Sequence, residues 1–227
     1  MAEYALVHAG RGLPVPEPVP DDLAAALGNA GLAAWLPLSW RARMQAGETI
    51  VILGATGISG LIAVAAARLL GAGRIVAAGR HAAALQQTLS LGADAIIDLN
   101  DPHSLAERML DAAEGGADIV VDYLNGAPAE AALTAMRHGG RMVQIGSPLS
   151  PSLRLDAQPA RMQSLDVLGF AYYHAPRKQQ IEAYGRLCEH ALLGDIQIAI
   201  RSHPLDKFEE AWRAQINGSR ARIVVIP

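Results

Sequence analysis

Three glycines at every third position, Gly54, Gly57 and Gly60, mark the stretch of this chain best suited to chemistry. They follow Thr49–Leu53, a β-branched apolar run of strand length, and they open Ile58–Leu70, whose Ala and Leu content predicts a helix. The start of such a helix offers free N–H groups and about half a positive charge. Because glycine lets a phosphate approach the backbone closely, the spacing predicts a turn that binds the pyrophosphate of a dinucleotide.

Two other interpretations of this stretch stay open beside the dinucleotide turn. The glycines could serve packing alone in another kind of α/β domain. The uncharged run Ile50–Ala67 is also about the minimum length of a membrane-spanning helix, but glycines, Thr56 and Ser59 in its middle argue against a span. The predicted contact residues of the turn are Ala55, Thr56, Gly57, Ile58, Ser59 and Gly60.

A basic residue, Arg80, follows the next predicted strand, Arg74–Gly79. A dinucleotide fold binds the adenosine ribose here, about 20 residues after the glycine turn. An NAD site uses Asp or Glu at this place, whereas an NADP site needs room and positive charge. The guanidinium of Arg80 can bind a 2′-phosphate in a two-bond pair, so Gly79 and Arg80 predict NADP. A solvent-exposed arginine that caps a helix is the alternative.

The elements that must position these residues alternate along the chain. This alternation predicts an α/β fold, a doubly wound parallel sheet of the Rossmann type with its ligand at the carboxyl ends of the strands. Further predicted strands are Ala95–Leu99, Asp118–Leu124, Arg141–Ile145, Asp166–Tyr172, Ile196–Ile200 and Ala221–Ile226. Further predicted helices are Ala82–Leu91, His103–Glu114, Ala129–Arg137, Pro176–Leu193 and Leu205–Gln215, and Gly146–Gln163 is a predicted loop.

Two loops at the same predicted edge should line the ribose and the nicotinamide. They begin at Tyr123 and Leu124, after the fourth strand, and at Gly146 and Ser147, after the fifth. Asp122 could be either a capping residue or a functional one.

The beginning of the chain has a different character from the rest. Ala2–Val7 is typical of a strand without partners, and prolines at alternate positions from Pro14 to Pro20 predict an extended linker. Two helical pieces should follow, one from Asp21 or Asp22 to Leu27 and one over Leu32–Gln45.

Composition excludes several classes of function. The 227 residues carry a net charge of −3, and the basic residues are scattered, so neither nucleic acid nor an anionic membrane is an expected partner. A single cysteine, Cys188, excludes an intrachain disulfide and a thiolate cluster. The seven histidines show no metal-ligand spacing, so no metal is expected. The first residues lack the features of a signal peptide and predict a cytoplasmic protein.

Six segments, in order along the chain, carry a family resemblance: Ala24–Trp35, Ala46–Gly60, Gly92–Asp94, Asp118–Tyr123, Gly139–Gly146 and the terminal pattern H-P-L…A-W…R-I-V-V. Together they resemble the medium-chain dehydrogenase/reductase superfamily and most of all its zinc-independent quinone oxidoreductases. The resemblance implies that residues 1–20 are a remnant of a GroES-like catalytic domain and that residues 21–227 form the NADP-binding domain with connector helices. Most substrate contacts would belong to the absent part, so no catalytic residue is assigned.

The resemblance also implies properties of the site. Gly169 and Phe170 should approach the nicotinamide carboxamide, and the small-molecule acceptor should be a quinone or another conjugated carbonyl. Asn29 stands where zinc enzymes carry a cysteine. Family members often add a second basic residue soon after the first, a position that Ala82–Ala84 leave unfilled. A homodimer should form through the edge strand Asp166–Tyr172.

Rival enzyme classes lack their signatures. Short-chain reductases need Tyr-x-x-x-Lys, but Tyr173 is followed by Arg177 at that spacing, and a G-x-S-x-G nucleophile elbow is absent. A non-catalytic NADPH-binding protein that retains the fold is the alternative function.

Overall fold

The computed structural model describes residues 2–8, 10–101 and 103–227. Met1 and Ala9, which belong to the predicted remnant of residues 1–20, lie outside the described residues. The strands are β1 (Thr49–Leu53), β2 (Arg74–Gly79), β3 (Ala95–Asp98), β4 (Ala117–Asp122), β5 (Met136–Gln144), β6 (Asp166–Gly169), β7 (Ile200–Pro204) and β8 (Arg222–Ile226). The helices are α1 (Asp21–Leu36), α2 (Ile58–Leu69), α3 (Ala82–Ser90), α4 (Leu105–Ala112), α5 (Ala127–Thr134), α6 (Ala157–Met162), α7 (Arg177–Leu192) and α8 (Phe208–Ile216).

Six parallel strands form the main sheet in the order β3-β2-β1-β4-β5-β6. The order reverses between β1 and β4, which is the switch point where such sheets bind ligands. All residues of β1 are buried, because Ile50 and Ile52 pack into one core cluster while Val51 and Leu53 pack into the other, across the sheet. The predicted doubly wound α/β fold is therefore confirmed.

The connector before the sheet differs from the prediction of two short helices. Asp21–Leu36 is one continuous helix, followed by a π-helical turn at Pro37–Arg41. The helix passes through Gly31 because that residue is buried against α7, where a β-carbon would lie 2.9 Å from Cδ1 of Leu187. Close packing of the two helices thus outweighs the low helix propensity of glycine.

The second half of the sheet departs from the prediction in several places, beginning with β4, which ends at Asp122 instead of Leu124. Helix α5 spans Ala127–Thr134 instead of Ala129–Arg137, so β5 begins at Met136 and includes the irregular segment before Arg141. The predicted loop Gly146–Gln163 contains the short helix α6. The sixth strand ends at Gly169 instead of Tyr172, because the chain turns into a 3₁₀ segment at Tyr172–His174.

The last two strands do not join the main sheet. Strands β7 and β8 pair with each other in a separate parallel sheet. The predicted strand Ile196–Ile200 is wrong: Ile196 is buried in the core, but the backbone meets its partner strand only from Ile200 onward. The apolar residues of this segment correctly indicate burial, but they do not indicate which residues pair with the partner strand.

The described N-terminal residues do not form the predicted strand. Ala2–Val7 pair with no other strand, and Tyr4 and Leu6 are exposed. Within the described ranges, no helix combines the length and the apolar character that a membrane span requires.

Candidate cofactor-binding site

The turn between β1 and α2 has the backbone shape that its glycines predict. Gly54 has a φ of +87°, a region that residues with a side chain rarely adopt. A β-carbon on Gly60 would lie 2.6 Å from Cα of Ala55, so the third glycine allows the helix to pack on the strand. The first and third glycines are thus explained by the fold itself.

Gly57 has no such structural reason to be glycine. Its φ of −83° suits any residue, and a β-carbon at this position would have as its nearest heavy atom the carbonyl oxygen of Gly54, at an ordinary 3.5 Å. Gly57 is exposed at the start of α2, where the first-turn N–H groups have no partner within the helix. An open glycine at a helix start fits a ligand that must approach the backbone closely, and a pyrophosphate is such a ligand.

The end of β2 packs directly against this turn. A β-carbon on Gly79 would clash with the Thr56 side chain, whose Oγ1 would lie 2.9 Å away. Arg80 follows with an exposed side chain, and its carbonyl accepts a hydrogen bond from Asn100 Nδ2 at 2.7 Å. Among the described residues, no carboxylate forms an ion pair with Arg80. The structure therefore brings Thr56, Gly79 and Arg80 together at one edge of the sheet.

Asp122, at the end of β4, acts as a cap. Its Oδ1 accepts hydrogen bonds from the N–H groups of Leu124 at 2.8 Å and Asn125 at 2.9 Å. Asp122 is fully buried, and this burial raises the pKa of its carboxyl group despite the two hydrogen bonds. Of the two roles left open by the sequence, the structure gives it the capping role.

The two loops of the switch point contact each other through their backbones. A β-carbon on Gly146 would lie 2.6 Å from the carbonyl oxygen of Tyr123, and one on Gly54 would lie 3.2 Å from Leu124. The Tyr123 hydroxyl points away into the connector and donates to the carbonyl of Ala33 at 2.9 Å. Burial raises the pKa of this phenol. Tyr123 therefore lines the crevice with its backbone, and its hydroxyl does not serve as an acid there.

Gly169 and Phe170 lie at the outer end of the same edge. The Phe170 N–H donates to the Gln144 carbonyl at 3.0 Å, and its ring packs 6.2 Å from that of Trp40. The Gly169 carbonyl accepts from Arg41 Nε at 3.0 Å. Both predicted residues are thus in contact with the connector, with Gly169 one strand away from the Tyr123–Gly146 contact.

A cavity of about 430 Å³ adjoins the glycine turn and includes residues that sequence reasoning missed. Thr56, Ile58 and Ala84 line one side, and Gln197–Ala199 and Arg220 line the other. These last residues belong to the segments before β7 and before β8, more than a hundred positions from the turn. No local motif signals their presence, since only the fold brings them there.

The family profile of zinc-binding dehydrogenases matches residues 59–189, which is more than half of the chain. The chain belongs to this family. It falls within the medium-chain dehydrogenase/reductase superfamily, in the quinone oxidoreductase-like branch. The match begins in the first turn of α2, at residue 59, and extends into α7.

Individual members of the superfamily show the same relationship. The chain is 26% identical to the quinone oxidoreductase of Homo sapiens over 222 residues, covering 97% of this chain and 66% of the human protein. It is 25% identical to the L-threonine 3-dehydrogenase of Chromobacterium violaceum, covering 99% of this chain and 64% of that one. The quinone oxidoreductase of Thermus thermophilus, solved alone and with NADPH, is 30% identical with a TM-score of 0.76, covering 95% of this chain and 69% of that one. The chain thus spans about two thirds of the length of these relatives.

The described residues do not provide a set of zinc ligands. Within those residues, no three His, Cys, Asp or Glu side chains lie close enough to hold a metal. Asn29 is an exposed residue of α1, and Cys188 is buried beside Tyr184. Burial raises the pKa of the Cys188 thiol, which is the opposite of what a coordinating thiolate requires.

Proposed function

We propose that this chain is the cofactor-binding part of an NADPH-dependent, zinc-independent oxidoreductase that reduces a quinone or an enone. The observation that carries the proposal is the open glycine, Gly57, at the start of α2 beside an arginine, Arg80, at the end of β2. The first suits a pyrophosphate, and the second suits a 2′-phosphate. The Thermus thermophilus relative, whose structure was also solved with NADPH, supports the same cofactor.

Each part of the crevice has one task in this proposal. The N–H groups of Ile58, Ser59 and Gly60 in the first turn of α2 hold the pyrophosphate, because those of Ala55 and Gly57 already donate to Ala78 and Gly54. The adenosine ribose lies at the end of β2, beside Gly79 and Arg80. The backbones of Tyr123–Leu124 and Gly146–Ser147 line the nicotinamide ribose, and Gly169–Phe170 lie toward the carboxamide. The bound cofactor would supply the hydride, while these residues orient it.

The domain organisation is part of the proposal. Residues 1–20 would be the remnant of a GroES-like catalytic domain, and residues 21–227 would be the NADP-binding domain with its connector. The exposure of Ala2–Val7, which pairs with no strand, supports this division, because apolar residues such as Tyr4 and Leu6 are normally covered by a partner element. The remaining wall of the substrate pocket would belong to the catalytic domain.

A non-catalytic NADPH-binding protein is the second candidate. The observation that favours it is the use of the polar groups at the switch point: the Asp122 carboxylate caps a turn, and the Tyr123 hydroxyl is bonded to Ala33. Asp122 is fully buried and the Tyr123 hydroxyl is bonded within the connector, so neither group is exposed to an acceptor. An upstream catalytic domain in the native reading frame would decide for the enzyme.

The substitution Gly57→Asp tests the proposed site. Gly57 is the N-cap of α2 and has the extended backbone that a capping aspartate prefers, so the variant should fold and be at least as stable as the parent. The new carboxylate would face the pyrophosphate and should weaken NADPH binding by about a hundred-fold or more. Calorimetric titration and thermal unfolding of the same samples give both values.

Gly185→Asp is the matched control. It adds the same charge to α7, where a β-carbon would meet no atom within 4 Å, and it should leave NADPH binding unchanged. A folded Gly57→Asp variant that binds NADPH as the parent does would overturn the assignment of the turn.

A further inference from the structure

Arg220 lies next to the adenosine side of the proposed site, although 139 positions separate it from His81. Its Nη1 is 2.7 Å from Nδ1 of His81, the residue directly after Arg80. Arg220 and Thr56 line the same cavity, together with Ala83 and Ala84 of the first turn of α3. The segment before β8 thus places the Arg220 guanidinium near the end of β2.

The contact with His81 positions Arg220 without neutralising it. His81 Nδ1 accepts a hydrogen bond from the Ala84 N–H at 3.1 Å and so caps α3. Because a guanidinium can only donate, Nδ1 is the acceptor in the contact with Arg220. Within the described residues, no carboxylate forms an ion pair with Arg220, so its charge is available to an anion.

The small residues of α3 leave space for this anion. Ala82, Ala83 and Ala84 supply no positive charge close to Arg80 in sequence, and two of them line the cavity. The nearest acid by strand register is Asp98, which is paired with Gly79 across β2 and β3. Its Oδ1 already accepts from the N–H and the Nδ2 of Asn100, at 2.9 and 2.8 Å.

We propose that Arg220 is a specificity-determining residue for the cofactor, the second cation of the 2′-phosphate site beside Arg80. The inference rests on the proposed NADPH-binding function. In this arrangement the phosphomonoester lies between two guanidinium groups, one from the end of β2 and one from the segment between α8 and β8. The 2′-phosphate of NADPH therefore links the C-terminal segment to the main sheet. NADH lacks this phosphate and forms no such link.

Binding of NADPH and NADH to three variants tests the proposal. Arg220→Gln should weaken NADPH binding about five- to twenty-fold and change NADH binding less than about two-fold. Arg220→Lys should recover part of the loss, because it restores the charge without the planar fork. Arg213→Gln, on the exposed face of α8, is the matched control and should change neither affinity.

Trypsin cleavage after Arg220 gives a second measurement on the parent chain. At equal cofactor occupancy, NADPH should slow this cleavage and NADH should not, while cleavage after the exposed Arg154 should be the same with both. If Arg220→Gln weakens the binding of NADPH and NADH equally, or weakens neither, the proposed role of Arg220 is wrong.

The outcomes separate this inference from the proposed function. If Arg80→Ala lowers the preference for NADPH and Arg220→Gln does not, the function stands and the second cation is wrong. If the parent chain binds neither cofactor, the proposed function fails and the role of Arg220 fails with it.

Discussion

Arg141 and Glu48 form a two-bond ion pair in which Nη1 donates to Oε1 at 2.8 Å and Nη2 donates to Oε2 at 3.0 Å. Both side chains are less than one fifth exposed. The same guanidinium donates to the carbonyl of Ala42 from Nε and Nη2. Arg141 of β5 therefore links the main sheet to the connector through Ala42 and to Glu48, the residue before β1.

Breaking this pair should destabilise the chain in a pH-dependent way. Burial by itself would raise the pKa of Glu48, but hydrogen bonds from Arg141 and the Gln45 N–H, with the arginine charge, outweigh burial and lower it. A depressed folded-state pKa means that the contribution is complete above the ordinary pKa of glutamate and is lost as the pH falls through the folded value.

Arg141→Gln should therefore lower the free energy of unfolding by about 1–3 kcal/mol at neutral pH, since it leaves a partly buried carboxylate without its partner. The difference from the parent should shrink as the pH is lowered. Urea denaturation at several pH values measures it. Arg154→Gln, whose ion pair is largely exposed, is the control and should have little effect. A difference that stays constant down to acid pH would contradict the role of Glu48.

The cofactor preference should depend on Arg80. We expect the parent chain to bind NADPH more tightly than NADH, because Arg80 replaces the acid that would accept from a ribose hydroxyl. A charge-assisted hydrogen bond is worth roughly 1.5–3 kcal/mol, so Arg80→Ala should weaken NADPH binding about ten- to a hundred-fold. NADH binding should change little, and equal losses for both cofactors in titration calorimetry would remove Arg80 from the 2′-phosphate site.

The chain by itself should bind nucleotide and yet show little reductase activity. Hydride transfer needs the acceptor held about 3–3.5 Å from the nicotinamide and shielded from water. The chain spans about two thirds of the length of its quinone oxidoreductase relatives, and we expect the missing third to hold the acceptor. Steady-state assays with NADPH and a simple quinone measure the turnover. Robust turnover by the purified chain, free of contaminating reductases, would refute this division of tasks.

The parts of the site that the sequence predicted are those governed by local chemistry. The turn was predictable because Gly54 and Gly60 meet steric limits that only glycine satisfies, and β1 because a strand buried on both faces is continuously apolar. The role of Arg220 was not predictable, since its neighbour His81 is 139 positions away. The separation of β7 and β8 from the main sheet was also not predicted. An apolar pattern indicates which residues are buried, but it does not indicate which strand is the partner.

Strand β6 lies at the edge of the main sheet, as the sequence predicted, and the predicted dimer depends on this edge. Because the Phe170 N–H donates to Gln144 inside the sheet, the backbone groups of Leu168 also face inward and those of Val167 and Gly169 face outward. Arg41 already donates to the outward carbonyl of Gly169 at 3.0 Å. The outward carbonyl of Gly169 is thus already hydrogen-bonded. The outward backbone groups of Val167 have no partner among the described residues.

We predict that two copies pair antiparallel through this edge and form a homodimer with a continuous sheet across a two-fold axis. Val167→Pro should give a folded monomer, because it removes an outward N–H and leaves the bonds to β5 in place. Phe170→Pro is a poorer test, since it would remove a bond within the sheet. Sedimentation velocity at tens of micromolar measures the mass, and circular dichroism checks the fold. If the unmodified chain is already a monomer at that concentration, the Arg41 cap is sufficient to close the edge and the dimer is wrong.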